Sequence, residues 1–529
     1  MSERITRKDF LRIAGLTALA TGVEPVSAAA ASTSDRLTGR ISTGGRHEAR
    51  PLIRTLDPVM RLYPVDAMER KGDIRFGPAE IQSMLPFFGD GEITWSITAP
   101  AAGAYRVAAC YASTKPGTQV EVICGPSSIR HSVIFTEGFF LPYAGGPAAD
   151  PGSPDKDSFW SERQFYSFER VALAGELHLD CGVNVVRLHV AGAKGGEIFR
   201  LRSLELTPVA RAAAVAATSR MAHRHRANTD WFAKAGYGVW FHFLDLTTPR
   251  RGPRKPYAQA VNELDVEALA ALVAETGAGY AILTTNHGHP TCPAPIRSWE
   301  ELHPGWTTKR DLIADFAGAL NRRGMKLLLY MNCPGLGDLL AGPGGVIDQP
   351  KYSEERYAEI LVKVFTEFGL RYGERVAGYW LDSWFTTTES YPNLPFEALG
   401  RAIKAGYRDR MVAYNYWAFP IESDWQDYWA GELTDLPLKR FGSRYIRRGA
   451  GKGLQAHSAI RLDDPWFHIT PNTDIQPPRY TAVQLTEYIR TCMEDQAPVT
   501  FGVGIYQDGT IGEGSRQVLR DVRRAIRGT

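Results

Sequence analysis

Val376-Ala377-Gly378-Tyr379-Trp380-Leu381-Asp382-Ser383-Trp384 is a short apolar and aromatic run closed by a carboxylate between aromatics. A run of this length without polar alternation predicts a strand buried on both faces, as in a parallel sheet. A carboxylate at the end of such a strand is costly unless water, a partner or a ligand satisfies it. In a (β/α)8 barrel, the carboxyl end of a strand is where catalytic groups sit. Asp382 is therefore the first candidate catalytic residue. Capping the following helix is its alternative role.

Working outward, the same buried pattern recurs. Strands are predicted at 237–244, 279–285, 325–332, 376–384, 410–417, 428–433, 453–460 and 498–506. Amphipathic helical stretches lie between several of them, at 265–276, 310–323, 353–372, 396–407, 481–494 and 514–527. Eight strands alternating with helices over about 300 residues predict a TIM-like (β/α)8 barrel spanning 229–529 rather than an open sheet.

The segment 55–210 has a different rhythm. Short alternating runs such as Glu92-Ile93-Thr94-Trp95-Ser96-Ile97 and Asn184-Val185-Val186-Arg187-Leu188-His189-Val190 are separated by turns rich in Gly, Pro, Asp and Ser. That predicts an all-β, jelly-roll-like sandwich in front of the barrel. Its phrases resemble carbohydrate-binding modules, with a purely structural accessory role as the alternative. An Ala- and Arg-rich linker at 211–228 joins the two.

At the amino terminus, Thr6-Arg7-Lys8-Asp9-Phe10-Leu11-Arg12 precedes a mildly apolar run and the small-residue tract Val26-Ser27-Ala28-Ala29-Ala30-Ala31. This layout predicts an export signal over 1–34. Arg7-Lys8 followed by Phe10-Leu11 resembles a twin-arginine signal with Lys as the second basic residue. A periplasmic or extracellular destination follows as an expectation.

The 529 residues are 44% hydrophobic and 22% charged, with a formal charge of +3, so composition gives no reason to expect a nucleic-acid partner. No apolar stretch reaches the length of a membrane span. The six cysteines form no CxxC or Cys/His spacing, so no metal site and no disulfide framework is indicated. Oligomeric state is not encoded legibly.

If the barrel is right, its strand ends converge. They supply His242 and Asp245; Asn286, His287 and His289; Asn332; Asp382; Asn415 and Trp417; Glu432; His457; and Gln507 with Asp508. No Gly-rich phosphate loop follows any strand. Two carboxylates from different strands among His, Asn and Trp fit glycoside hydrolysis. Asp382 and Glu432 are the leading pair. His242 and His287 would donate to sugar hydroxyls, with Asn286, His289 and Asn415 nearby. Trp384 or Trp417 would stack on the ring. A metal-dependent hydrolase using His242, His287, His289 and Asp382 is the competitor. No cofactor is expected.

Several phrases resemble the retaining α-L-fucosidases. Trp231-Phe232-Ala233-Lys234-Ala235-Gly236-Tyr237-Gly238-Val239-Trp240-Phe241-His242 is similar to that family's opening barrel strand. Ala281-Ile282-Leu283-Thr284-Thr285-Asn286-His287 looks like its second. Gly378-Tyr379-Trp380-Leu381-Asp382 is similar to the segment that carries its nucleophile, and Val503-Gly504-Ile505-Tyr506-Gln507-Asp508-Gly509 to its ending. The resemblance runs from about residue 229 to the C-terminus. It implies a covalent glycosyl-enzyme mechanism with Asp382 as nucleophile, His242 and His287 on the sugar, and a glycan as partner. Glu432 or His457 would be the acid/base, Glu432 being preferred, with Glu422 and Asp463 as outsiders. The chain departs from the pattern at Gly288, where the family has a second His, and at Ser383, where it has Gly. A related glycosidase for another deoxy or galacto-configured sugar or a sulfated polymer, or a non-catalytic sugar-binding barrel, are the alternative implications.

Overall fold

The computed structural model describes residues 59–74, 85–113, 115–136, 168–192, 197–333, 352–416, 421–434, 436 and 441–528. The expected export segment and Trp417 lie outside them.

The first unit is antiparallel. Its strands are β1 (Met60–Leu62), β2 (Glu69–Ile74), β3 (Leu85–Ala99), β4 (Gly103–Ala112), β5 (Gln119–Cys124), β6 (Ser127–Ser132), β7 (Glu169–Leu179), β8 (Gly182–Ala191) and β9 (Phe199–Pro208). Instead of two separate sheets, they follow one hydrogen-bonded path, β6-β5-β8-β3-β9-β4-β7, with β1 on β9 and β2 on β3. The long β3 explains this. It pairs with β8 over Gly91–Ala99 and with β9 over Leu85–Phe87, so one strand serves both layers. The path folds back on itself, because the His178 N–H in β7 donates to Ser127 Oγ in β6 at 3.1 Å. Alternating residues including Trp95, Val107, Leu188 and Leu206 fill the enclosed core.

The second unit contains eight parallel strands: β10 (Tyr237–Phe241), β11 (Tyr280–Thr284), β12 (Lys326–Asn332), β13 (Val376–Asp382), β14 (Met411–Tyr414), β15 (Glu432–Thr434), β16 (Ser458–Arg461) and β17 (Val499–Val503). They lie in the order β14-β13-β12-β11-β10-β17-β16-β15. Side chains alternate across the sheet. Trp240, Ile282, Leu328, Tyr330, Trp380 and Ala413 share one inner cluster, while Tyr379 and Leu381 face outward to the helices. The sheet curls enough for the Trp380 indole to donate to the Ala430 carbonyl, just ahead of β15, at 2.9 Å.

No ladder joins the end strands β14 and β15. Asp427 spans the gap instead. Its N–H donates to Val412 O (2.9 Å). Its carboxylate accepts from the N–H groups of Val412 (2.9 Å) and Ala227 (2.7 Å) and from Lys404 Nζ (2.9 Å).

The covering helices start where the sequence offers caps. Asp265, Asp311 and Ser353 each accept backbone N–H bonds from the first turn of their helix, and Thr481 forms a capping box with Gln484. In Glu354–Tyr372, the residues Tyr357, Ile360, Leu361, Val364, Phe365 and Phe368 make one buried stripe. Each such side chain stabilises the fold by about 1.5–3 kcal/mol.

The predicted strand limits at 428–433 and 453–460 need correction. Gly431 has φ 63°, and a Cβ there would stand 2.0 Å from the His457 carbonyl oxygen. The chain turns at this glycine, so β15 begins only at Glu432 and β16 only at Ser458. His457 thus precedes its strand instead of sitting near its end.

A helix, Ala212–Arg224, fills much of the expected linker, and the two units are packed together. Cys110, Ala112 and Phe168 belong to the same apolar cluster as the outer faces of the parallel strands. Arg202 of β9 is buried at the junction. Its guanidinium donates to Glu422 Oε2 at 2.9 Å and lies 4.5 Å from the Tyr63 ring centre and 4.2 Å from that of Tyr416. All six cysteines are free thiols, and only Cys181 is exposed. No helix among the described residues is long and apolar enough to cross a membrane.

Candidate active site

The end of β13 delivers Asp382 to a group of polar side chains. Asn415, just after β14, donates its amide to Asp382 Oδ1 at 2.9 Å and to Glu432 Oε2 at 2.7 Å, both from the same nitrogen. Asn415 is itself fully buried, and its backbone N–H is fixed on Leu381 O at 2.7 Å. The nearest oxygens of the two carboxylates therefore lie within about 6 Å whatever the angle at nitrogen.

Tyr330, facing inward from β12, donates its hydroxyl to Asp382 Oδ2 at 2.5 Å. Burial, and then the Asp382 charge, push this phenol well above its ordinary value, so it remains a proton donor. Ser383 adds a 3.2 Å bond to the same oxygen, and its hydroxyl accepts from Asn332 Nδ2 at 3.0 Å. Ser383 is in the left-handed region, with φ 56° and ψ 37°. Glycine adopts this conformation without strain, whereas Ser383 carries a Cβ there.

His242 and His287 stand beside Tyr330. The His287 ring stacks on Tyr330 at 5.9 Å and meets His242 edge-on at 5.8 Å. His242 Nδ1 pairs with Thr284 Oγ1 at 3.0 Å. Burial drives the pKa of His242 well down, with His287 adding to the effect. Burial also lowers that of His287, against an opposing pull from Asp382. Burial thus favours the neutral form of both rings, which donates from one nitrogen and accepts at the other. Phe467, in the loop after β16, lies 5.8 Å from His242 and 5.6 Å from His287. Its neighbour Trp466 packs against Trp240 at 5.1 Å, over Gly502, where a Cβ would collide with the indole.

Other candidates are placed elsewhere. The Trp384 ring is completely buried against Tyr414 and Phe396, so it offers no face to a ligand. Asn286 uses both ends of its amide on the backbone of Asn332, at 2.9 and 3.0 Å, and so ties β11 to β12. His457 is fully buried on the amino-terminal side of β16. Its Nδ1 reaches Ala430 O at 3.0 Å and its Nε2 reaches Thr500 Oγ1 at 2.8 Å. Burial lowers it to about 4, and both ring nitrogens are engaged within the core. His289 turns away from the carboxylates onto Asp245 Oδ2, at 2.7 Å. The hydrogen bond to Asp245 raises its pKa.

The outsiders are likewise engaged in structure. Glu422 is held by Arg202 and by the Thr388 hydroxyl at 2.9 Å. Burial pushes the Asp463 carboxyl up to about 6, and its oxygens accept from Ser515 and from the Gly504 N–H. Gln507 clamps the Lys255 backbone through both amide atoms, and Asp508 holds the Thr510 turn. Among the described residues, no group of three or more His, Cys, Asp and Glu side chains has a metal-holding arrangement.

Tyr330, Trp466 and Phe467 were not among the sequence candidates. Tyr330 carried a usable signal, since it lies on the inner face of β12 two residues before Asn332. Trp466 and Phe467 carried none, because a long loop has no periodicity to orient its side chains.

No family model and no curated protein matches the chain. Among solved structures it is similar to an alpha-L-fucosidase from Lactobacillus casei in complex with alpha-L-fucose product, at 16% identity, covering 56% of this chain and 97% of that one, with a TM-score of 0.41. Alpha-L-fucosidase isoenzyme 1 from Paenibacillus thiaminolyticus is 20% identical over 58% of this chain and 76% of that one, with a TM-score of 0.44. An alpha-L-fucosidase from Bacteroides thetaiotaomicron, trapped as a covalent intermediate, is 14% identical over 56% and 74%, with a TM-score of 0.40.

Proposed function

We propose that this protein is an exported retaining exo-glycosidase of α-L-fucosidase type, built on a (β/α)8 barrel. The observation that carries the reading is the single Asn415 amide shared by Asp382 and Glu432. It joins two carboxylates from different strands through one donor, which supports reading them as a nucleophile and acid/base pair.

In this reading, Asp382 attacks the anomeric carbon while Glu432, protonated, gives its proton to the departing glycosidic oxygen. The product of this half-reaction is an ester between Asp382 and the sugar. Glu432, now a carboxylate, takes a proton from water, which attacks the same carbon and releases Asp382. Tyr330 and Asn415 hold Asp382 in place. His242 and His287 bind hydroxyls of the sugar, and Phe467 supplies an apolar face. The chain's own groups suffice for these steps. The basic segment around Arg7-Lys8 supports export by the twin-arginine route, with a periplasmic or extracellular glycan as substrate.

The deciding experiment uses an Asp382→Gly variant with an aryl α-L-fucoside and azide. The expected product is a glycosyl azide of inverted configuration, formed at a rate far above that without azide. Unaltered hydrolysis by the variant would remove Asp382 from its role. A related sugar is the second reading, favoured by Gly288 standing where the family has a second His while His289 faces Asp245. Assay of a panel of aryl glycosides separates the two.

A further inference from the structure

Strands β10 and β11 bring three polar groups into one file on the inner side of the sheet. Their register pairs Trp240 with Ile282 and Phe241 with Leu283, so His242 and Thr284 stand side by side at the next step. The Trp240 indole donates to Thr284 Oγ1 at 3.0 Å, and the same oxygen lies 3.0 Å from His242 Nδ1. All three side chains are buried, Thr284 completely.

Burial makes the protons of this file countable. An indole N–H only donates, so it occupies one lone pair of Thr284 Oγ1. The Thr284 hydroxyl must then place its own hydrogen. Among the described residues, its hydrogen-bond partners are Trp240 and His242. The indole nitrogen accepts nothing, so the hydrogen goes to His242 Nδ1. With Nδ1 protonated instead, Thr284 would accept twice and its hydroxyl would be a buried donor without an acceptor, an arrangement that folded proteins avoid.

The consequence falls on the far side of the imidazole. Burial favours the neutral ring, and a neutral ring with its lone pair at Nδ1 carries its hydrogen on Nε2. That nitrogen makes no hydrogen bond among the described residues. The ring is bordered by His287, Tyr330 and Phe467, and the Tyr330 hydroxyl is committed to Asp382. A metal-binding histidine has the reverse arrangement. Its outer nitrogen donates to a carboxylate, a carbonyl or water, and the inner one keeps the lone pair. Here the outer partner is a donor.

We propose that Thr284 is a positioning residue that holds His242 as its Nε2–H tautomer, so that this histidine meets the substrate as a hydrogen-bond donor to a sugar oxygen, and neither as a base nor as a metal ligand. A sugar with a hydroxyl at that place satisfies the N–H. Its deoxy counterpart leaves the N–H unpaired and is rejected. The role in turnover rests on the glycosidase reading, whereas the tautomer can be measured without turnover.

The full-length protein, labelled with 15N-histidine, is studied at pH 7 by long-range proton–nitrogen correlation NMR. The His242 signals are identified by their loss in His242→Gln. Wild type should show a protonated Nε2 and a lone pair at Nδ1. Thr284→Val removes the hydroxyl at nearly constant volume. It should lose the single tautomer, and its kcat/KM on an aryl α-L-fucoside should fall about three- to tenfold. Thr284→Ser returns the hydroxyl and should restore the tautomer and most of the rate. A protonated Nδ1 in wild type overturns the proposal. So does an unchanged tautomer or an unchanged kcat/KM in Thr284→Val. If that variant does not fold, the wild-type tautomer and its retention in Thr284→Ser decide. If the tautomer is as stated while no aryl glycoside is cleaved, the assignment of the proton stands and the glycosidase reading fails. If fucosides are cleaved by an enzyme whose Nδ1 is protonated, the reverse holds.

Discussion

Asp382 and Glu432, on strands that are not adjacent in the sheet order, accept hydrogen bonds from one nitrogen of Asn415, at 2.9 and 2.7 Å. Two carboxylates so close would repel if both were charged, and the shared donor moderates that cost. Asn415→Ala should leave the fold intact but lower kcat on an aryl glycoside by about 10²-fold, because both groups lose their common positioning contact. Steady-state kinetics with circular dichroism as a folding control tests this. A loss confined to KM would contradict it.

Tyr330→Phe keeps the ring that stacks on His287 and removes only the hydroxyl that donates to Asp382. A hydrogen bond to a charged group is worth about 1.5–3 kcal/mol. The expected outcome is a roughly 10–100-fold fall in kcat with little change in melting temperature.

Ser383 holds φ 56° without being glycine. Ser383→Ala loses the hydroxyl and keeps the left-handed backbone, while Ser383→Gly loses the same hydroxyl and relieves it. The glycine variant should be the more stable of the two by about 1 kcal/mol, measured by chemical denaturation. Equal stabilities would show that the backbone here is not strained.

His457 is held down at about 4 by burial, against about 6.5 in an unfolded chain. Between those values the unfolded chain binds a proton that the native state does not. The stability that depends on neutral His457 is complete above about pH 6.5 and is lost as pH falls towards 4, in total on the order of 3 kcal/mol. Burial raises Asp463 to about 6 and Glu354 to about 7, and these act in the opposite sense. The difference between wild type and His457→Gln, followed from pH 7 to 4, isolates the histidine. That difference should shrink with acid, and kcat at pH 7 should stay within a few fold.

Arg202→Met leaves Glu422 buried without its guanidinium. Such a change costs about 3–5 kcal/mol. Pairing it with Glu422→Leu should recover most of the loss, since two apolar groups replace two charges. Denaturation midpoints of the single and double variants test the coupling.

The parallel strands were legible because each is a short apolar run with no competing period, as at Val376–Asp382. The all-β rhythm ahead of them was equally plain. What the sequence hid was the start of β15, where Gly431 turns the chain at φ 63°, and the start of β16, which begins only at Ser458. That displacement made His457 look like a strand-end residue. Trp384 misled for another reason: the left-handed Ser383 swings the chain directly into a helix and sends the indole into the core. Asp382, Glu432, His242 and His287 could be proposed from their strand-end positions, whereas Tyr330 required knowing which face of β12 looks inward.

Asp427 does between β14 and β15 what a ladder does between every other pair of neighbouring strands. Backbone pairing tolerates nearly any side chain, but a single carboxylate accepting from Val412, Ala227 and Lys404 does not. The curled sheet is therefore held at this edge by side-chain contacts in place of a ladder. Loss of the Asp427 carboxylate would leave the Val412 and Ala227 N–H groups and Lys404 Nζ without their common acceptor at this edge.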